Sequence, residues 1–299
     1  MQKSVFLVLI AAATWAGTAS AQTTAQTTAQ KGPQSGPPTA RRGNGLADKQ
    51  PDLPAGLFTA ESTMARTKIR HEWAYVPVGH VKMHVWIEYP DGDGKAPVVV
   101  VMPHVGGLTD WARGIADQLA VQGFIAVEPD IVSGLGPNRG NYDSFKFPDD
   151  VIKAAARLSG TEAMRRYKAA REYAMHLPRA NGKSASVGFD AGGAYSFRFA
   201  AEVPELNAAV VFYGLPPDAA AMSKIEASVL AFYGEVDPEV TSTVEPTAAA
   251  MKRLGKSYEA HVEPGASHAF MMYQVEGENG AAIVDAWPRA IAFLNDHTK

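Results

Sequence analysis

A predicted strand runs into a predicted helix through the sequence Val187-Gly188-Phe189-Asp190-Ala191-Gly192-Gly193. Glycines on both sides of the centre permit a sharp turn, because a residue without Cβ avoids the clashes that such a turn creates. The central side chain, Asp190, then projects from the sheet edge beside the helix N-terminus, where free N–H groups favour an anion. The pattern has the form of a nucleophile elbow with aspartate at its centre, although taken alone such a turn is more often structural.

Strand and helix patterns alternate on both sides of this turn. Residues 71–76 and 81–89 predict a hairpin, and residues 98–102 form the continuous apolar run of a strand buried on both faces. Further strands are predicted at 124–127, 185–187, 208–213, 229–233 and 258–262, and helices at 110–122, 149–158, 162–176, 191–201, 244–254 and 281–296. This alternation predicts an α/β fold with one mostly parallel central sheet flanked by helices on both faces.

The composition excludes several classes of function. Of the 299 residues, 28 are basic and 31 acidic, so the formal net charge is -3 at pH 7. Without a block of basic residues the chain has no electrostatic footprint for nucleic acid or for an anionic membrane surface, and we expect a small-molecule substrate as its partner. The absence of cysteine excludes disulfides, thiolate metal sites and a cysteine nucleophile.

No metal and no cofactor are expected. His80 and His84 lie on one face of a predicted strand, but four strand residues span roughly 13 Å, which is too far for one shared zinc ion. The sequence leaves the oligomeric state open, with a monomer as the working expectation.

The first 21 residues have the features of a signal peptide. Lys3 supplies the positive charge, residues 5–13 the apolar segment, and Ala19-Ser20-Ala21 a cleavage site of small residues. We therefore expect a periplasmic or secreted protein whose mature chain begins at Gln22. No other segment has the roughly 20 apolar residues that a membrane-spanning helix needs, so no membrane span is expected after cleavage.

Residues 22–56 are predicted to be a disordered, low-complexity linker. They repeat Thr-Thr-Ala-Gln and continue through sequence rich in glycine, proline and serine, with too few apolar side chains to offset the entropy of ordering. A single folded domain is expected over residues 57–299.

Two further residues with catalytic chemistry follow predicted strands downstream of the elbow. Asp237 comes shortly after the apolar strand at 229–233, where an orienting acid belongs, and His268 lies in the loop after the strand at 258–262, where a base belongs. The chain order nucleophile, acid, histidine is the order of the α/β-hydrolases. Each residue is a weak signal alone, but three in this order at three strand ends are a strong one.

Seven stretches of the chain together carry a family resemblance: the elbow and residues 103–111, 122–130, 212–214, 233–237, 265–270 and 285–287. Over residues 81–297 the chain resembles the dienelactone hydrolase family of the α/β-hydrolase superfamily. The resemblance implies an α/β-hydrolase fold and a catalytic triad of Asp190, Asp237 and His268. It also implies an oxyanion hole formed by the backbone N–H groups of Val105 and Ala191.

Three positions depart from the family pattern. Asp190 stands where the family usually has its cysteine nucleophile, and His104 stands where it usually has glutamate. His104 could hydrogen-bond Asp190 and keep it ionised, or it could only fill the space of the glutamate. The basic residue that family members often carry one turn beyond the catalytic histidine is replaced by Met271-Met272-Tyr273, which argues against dienelactone itself as the substrate.

The aspartate leaves three hypotheses about function open. The first is an exported hydrolase of a small ester, lactone or related substrate that uses Asp190, His268 and Asp237. A carboxylate attacking an ester would give a mixed anhydride, which is uphill, whereas a carboxylate attacking a saturated carbon forms an ordinary ester that activated water can cleave. The second hypothesis is therefore a dehalogenase or epoxide hydrolase that acts through an aspartyl ester. The third is a non-catalytic binding protein on a hydrolase scaffold.

Two features near the predicted site remain undecided from the sequence. Residues 133–147 form a segment rich in glycine and asparagine that could cover the site. Trp111 and residues 270–273 could line an apolar pocket, although core packing is the default for such side chains.

Overall fold

Eight strands form one sheet in the computed structural model, which describes residues 50–274 and 277–299. The strands are β1 (Arg70–Val78), β2 (Val81–Tyr89), β3 (Ala96–Met102), β4 (Ile125–Pro129), β5 (Ala180–Phe189), β6 (Ala208–Phe212), β7 (Ser228–Gly234) and β8 (Tyr258–Glu263). Their order across the sheet is β1-β2-β4-β3-β5-β6-β7-β8. The pairs β1–β2 and β2–β4 are antiparallel and all other neighbours are parallel, so the predicted mostly parallel sheet is confirmed.

Helices cover both faces of this sheet. They are α1 (Ala60–Met64), α2 (Asp110–Val121), α3 (Pro148–Ala156), α4 (Gly160–Met175), α5 (Ala191–Glu202), α6 (Ala219–Met222), α7 (Pro238–Thr241), α8 (Val244–Arg253) and α9 (Asn279–Thr298). Helices α2 and α9 pack into the core on one face, and α4, α5 and α8 pack into the core on the other. Across the described ranges, no helix is long and apolar enough to cross a membrane.

Strand β3 shows how the sequence builds this arrangement. All seven of its residues are buried, as its unbroken apolar run predicts. Val99 and Val101 pack into the core beneath α2 and α9, whereas Val100 and Met102 pack into the core beneath α4 and α5. Successive strand side chains point to opposite faces, so one short segment contributes to both cores.

The predicted signal peptide and the predicted linker up to residue 49 lie outside the described residues. The linker prediction is wrong for residues 53–56, which are buried against the domain. Leu53 and Ala55 are each only 3% exposed and belong to the core beneath α2 and α9. The Pro54 carbonyl accepts a hydrogen bond from the Gln274 side-chain amide at 2.8 Å. Two small apolar side chains and a few backbone contacts are enough to order this segment, although its composition resembles that of the linker.

Two glutamates lie diagonally across two neighbouring strands in the sheet interior. Glu88 on β2 and Glu128 on β4 occupy the same face and are both fully buried. The Trp86 indole N–H donates to Glu88 Oε1 at 2.7 Å, whereas neither carboxyl oxygen of Glu128 has a partner among the described residues. Burial raises the pKa of Glu88 to about 8, with a further contribution from Asp117. Burial also raises the pKa of Glu128 well above its ordinary value.

Glu88→Gln is expected to remove a loss of stability that the protein suffers as the pH rises. An unfolded chain ionises Glu88 near pH 4.5, whereas the folded chain keeps it protonated up to about pH 8, so folding becomes less favourable between these values. As the pH rises from 5 to 8, the difference in unfolding free energy between the variant and the parent should shift by about 4 kcal/mol in favour of the variant. Urea unfolding at several pH values measures the difference, with exposed Glu205→Gln as the control. Equal pH dependence of all three proteins would contradict this account.

Candidate active site

The elbow after β5 has a conformation that only close backbone packing can hold. Asp190, at the N-terminus of α5, has φ 56° and ψ -121°. This backbone conformation is unfavourable for any residue that has a Cβ atom. Its backbone N–H donates to the Phe212 carbonyl at 3.1 Å. A Cβ on Gly188 would lie 2.0 Å from the Gly192 carbonyl oxygen, and a Cβ on Gly192 would lie 2.0 Å from that of Met102. The elbow therefore requires both glycines and projects the Asp190 carboxylate at the sheet edge.

The structure brings the three predicted catalytic residues together. His268 Nδ1 lies 2.6 Å from Asp237 Oδ2, and His268 Nε2 lies 3.4 Å from Asp190 Oδ1. These side chains come from the elbow after β5, the loop after β7 and the loop after β8. Asp190 and His268 are about one-third exposed, whereas Asp237 is nearly buried. Nδ1 of the imidazole is thus paired with the nearly buried Asp237, and Nε2 faces the more accessible Asp190.

The two carboxylates hold a proton on the histidine. Burial acts to lower the pKa of His268, but hydrogen bonds and charge attraction from Asp190 and Asp237 outweigh it and raise this pKa to about 9. Burial acts to raise the pKa of Asp190, but the hydrogen bond and the charge of His268 lower it, with help from the Ala191 N–H and His104. At neutral pH the resting site is therefore an imidazolium between two carboxylates.

His104 does not make the hydrogen bond to Asp190 that the sequence allowed. Its Nδ1 accepts a hydrogen bond from the Gly106 N–H at 3.0 Å, so the neutral ring carries its proton on Nε2. This Nε2 is buried and has no partner in the part of the chain that the structure describes. Burial lowers the pKa of His104, and the charge of Asp190 opposes this shift. His104 thus fills space beside the elbow, with its ring turned back onto its own loop and edge-on to Trp111.

Of the two predicted oxyanion donors, one lies in the loop after β3 and the other lies in the elbow itself. Val105 follows β3, is exposed, and its N–H has no hydrogen-bond partner within residues 50–274 and 277–299. Ala191 is the first residue of α5, and its N–H stabilises the ionised Asp190 carboxylate in the resting site, which lowers the pKa of that group. An oxygen bound between these donors would therefore share the Ala191 N–H with Asp190 or take it over.

Sequence reasoning missed two residues that shape the site. The Tyr213 ring centre lies 5.0 Å from that of His268, and its buried hydroxyl has no partner among the residues described. Asn279, at the start of α9, accepts from the Ser267 N–H at 2.9 Å and donates to the Tyr273 carbonyl at 2.8 Å, so it fixes the loop that carries His268. Tyr213 lay in a stretch of family resemblance without an assigned role, and no sequence pattern singled out Asn279.

The structure also places the segment 133–147 and the apolar side chains near the site. The segment 133–147 contains two short 3-10 turns, Pro137–Arg139 and Tyr142–Ser144. A Cβ on Gly107 would lie 3.6 Å from the Tyr142 ring, so this segment packs next to the loop after β3. Trp111, Phe270, Met271 and Met272 are buried in the core, as the default interpretation holds.

No group of three or more histidine, aspartate or glutamate side chains within the described ranges could hold a metal ion. The arrangement instead offers what a hydrolase needs: a group that can take and return a proton, an acid that orients it, and N–H donors for a developing oxyanion.

Comparisons with known proteins identify the family of this chain. The model of the dienelactone hydrolase family matches residues 83–298. A Saccharolobus solfataricus protein named "Putative carboxymethylenebutenolidase" is 27% identical, over 73% of this chain and 95% of its own length. A Bradyrhizobium protein named "Probable 2-oxo-3-(5-oxofuran-2-ylidene)propanoate lactonase" is 26% identical, over 78% of this chain and 97% of its own.

Solved structures share the fold. The dienelactone hydrolase from Anabaena variabilis superposes with a TM-score of 0.61 at 19% identity, covering 78% of this chain and all of the other. The fold is therefore that of the α/β-hydrolases, and the matched residues contain the elbow, Asp237 and His268. This chain belongs to the dienelactone hydrolase family and is a hydrolase.

Proposed function

We propose that this protein is an exported hydrolase that cleaves a small ester or lactone through Asp190, His268 and Asp237. The observation that carries the proposal is the placement of His268, whose Nδ1 lies 2.6 Å from Asp237 and whose Nε2 lies 3.4 Å from Asp190. Family membership supports a hydrolase and weighs against the non-catalytic binding protein. The names of the relatives support the ester and lactone class.

In the proposed reaction, water is the nucleophile. A water between Asp190 and His268 attacks the carbonyl carbon as neutral His268 takes its proton at Nε2, and Asp237 holds the resulting imidazolium. The carbonyl oxygen becomes an oxyanion that accepts hydrogen bonds from the backbone N–H groups of Val105 and Ala191. When the intermediate collapses, the carbon–oxygen bond to the alcohol breaks and His268 returns the proton to the leaving alkoxide. Direct attack by Asp190 is avoided, because it would give a mixed anhydride.

A second candidate is favoured by one observation. An ionised carboxylate occupies the elbow position from which a nucleophile attacks. Against a halide or an epoxide, Asp190 would form an ester with the saturated carbon while the halide or alkoxide leaves, and water would then cleave that ester. Esterification removes the charge of Asp190, so the pKa of His268 would fall and the ring would become the base for the second step.

Single turnover in heavy-oxygen water separates the two routes. The purified chain is first assayed on a panel of small esters, lactones, alkyl halides and epoxides. The best substrate is then incubated in labelled water with the enzyme in molar excess, so that each enzyme molecule turns over at most once. The proposed route places the label in the acid product and leaves Asp190 unlabelled. Label in the peptide that contains Asp190 would assign the aspartyl ester instead, and turnover of no ester or lactone would overturn the first proposal.

The pH dependence of ester hydrolysis gives an independent prediction. His268 must be neutral to accept a proton from water, so kcat/KM should rise with pH and level off above about pH 9. Asp237→Asn removes one of the two carboxylates that raise this pKa and should move the rise to lower pH. Initial rates from about pH 6 to pH 10 measure both profiles. A flat profile of ester hydrolysis would contradict base catalysis by His268.

Export is part of the proposal and rests on residues 1–21. A tagged full-length chain produced in a Gram-negative host should be found in the periplasm or the medium, with Gln22 as its first residue by N-terminal sequencing. A retained Met1 on the purified protein would contradict cleavage at this site.

A further inference from the structure

Three exposed apolar side chains lie at the edge of the sheet where the catalytic residues meet. Val105 follows β3, Leu215 follows β6 and Val236 follows β7, and their side chains are 41%, 46% and 63% exposed. Strands β3 and β6 are the neighbours of β5, so two of these side chains lie in the loops that flank the elbow. Val236 immediately precedes Asp237. Single exposed apolar residues are ordinary, but three of them in loops at the same sheet edge as the candidate site favour an apolar partner. We call Val105, Leu215 and Val236 the apolar rim.

Residues 269–274, which follow the proposed catalytic histidine, carry no charge. After His268 the chain turns through Ala269, which has φ 58°, and buries Phe270, Met271 and Met272. The first of these buried side chains, Phe270, packs against Tyr213 at 5.3 Å between ring centres, and the ring of this tyrosine lies 5.0 Å from that of His268. A substrate entering beside His268 would therefore meet no cation on this segment.

The catalytic group itself is negatively charged. Two carboxylates face one imidazolium, which leaves a net charge of about -1 at neutral pH. The groups that act most strongly on Asp190 are His268, the Ala191 N–H and His104, and none of them is a lysine or arginine. Within the described ranges, neither Asp190 nor Asp237 forms an ion pair with a lysine or arginine. An anionic substrate would enter against this charge, which no ion pair of Asp190 or Asp237 to a described lysine or arginine offsets.

We infer that the site selects uncharged substrates whose acyl part ends in an apolar group, and that it rejects substrates carrying a carboxylate. The inference rests on the proposed function and specifies its substrate class. The apolar rim would contact the end of the acyl chain, and the unbalanced carboxylate of the catalytic group would repel an anion.

A pair of matched esters tests this inference. 4-Nitrophenyl butanoate and 4-nitrophenyl hydrogen succinate have acyl chains of equal length, which end in a methyl group and a carboxylate respectively. The parent protein should show a kcat/KM for the butanoate that is higher by about tenfold or more. Added salt should narrow the ratio, because it screens the repulsion. A preference for the succinate, or a ratio near one at low salt, would overturn the inference.

Charge-introducing variants show where the selectivity originates. Leu215→Lys should raise kcat/KM for the succinate and lower the butanoate-to-succinate ratio several-fold. Leu254→Lys is the matched control: Leu254 is 39% exposed but lies at the end of α8, before β8, at the opposite edge of the sheet. It should leave the ratio unchanged. An equal effect of both variants would overturn the assignment to the apolar rim.

The outcome also distinguishes this inference from the proposed function. Hydrolysis of both esters with the succinate favoured would leave the proposed function standing and overturn the inference alone. Hydrolysis of neither ester nor any other ester or lactone of the panel would overturn the proposed function.

Arg139→Gln removes an exposed cation of the segment 133–147 and should not change the butanoate-to-succinate ratio of kcat/KM. A larger ratio in this variant would show that a cation does serve anionic substrates and would contradict the inference.

Discussion

His268→Gln is expected to lower kcat/KM for ester hydrolysis by roughly 10²- to 10⁴-fold. Glutamine retains a side-chain amide of similar reach, but it cannot take a proton from water or return one to the leaving alkoxide. The change should lower kcat and leave KM nearly unchanged, because the lost contribution belongs to the transition state. Steady-state kinetics on the best ester of the panel measure it.

His261→Gln is the control for this variant. His261 lies on β8, where its Nε2 is 2.7 Å from Glu259, and it lies outside the proposed catalytic group. The same substitution there should leave kcat/KM within about twofold of the parent value. If the two variants are equally active, His268 is not the base. Circular dichroism of both proteins should show the parent fold.

Gly192→Ala is expected to destabilise the protein by about 3 kcal/mol or more. A Cβ at this position would lie 2.0 Å from the Met102 carbonyl oxygen and 2.3 Å from that of Pro103, and both atoms belong to backbone that cannot move aside without shifting β3. Urea unfolding measures the loss. A variant that does not fold at all is the extreme form of the same result.

The matched control is Gly94→Ala, since a Cβ at Gly94 meets no atom within 4 Å. It should change the unfolding free energy by less than about 1 kcal/mol. Equal stability of the two variants would show that the elbow does not pack against the end of β3 as described.

The strands were predictable where apolar side chains cover their full length. β3 is buried at every position, and its pattern admits no other interpretation. β5 begins at Ala180, five residues before the predicted start. The prediction missed this part because residues 181–183 are at least partly exposed and lack the apolar pattern of a buried strand. The helix α1 and the packing of residues 53–56 could not be predicted, since both depend on contacts with distant segments such as Gln274.

The candidate site shows the same division. Asp190, Asp237 and His268 were predicted from their order and their positions after strands, which are properties of the chain alone, and the structure brings them together. The role of His104 was not accessible, because it depends on a rotamer that pairs Nδ1 with the Gly106 N–H. Asn279 was missed because its contacts to the His268 loop bridge two segments that no local pattern connects.

The most direct test of the proposed catalytic group is a double-mutant cycle of Asp190→Asn and His268→Gln on the same ester. Residues that act as one unit give strongly non-additive losses, so the double variant should retain about the same kcat/KM as the slower of the two single variants. Losses that multiply in the double variant would show that the two residues act independently. Single variants with unchanged rates would contradict the assignment of Asp190 and His268 to catalysis.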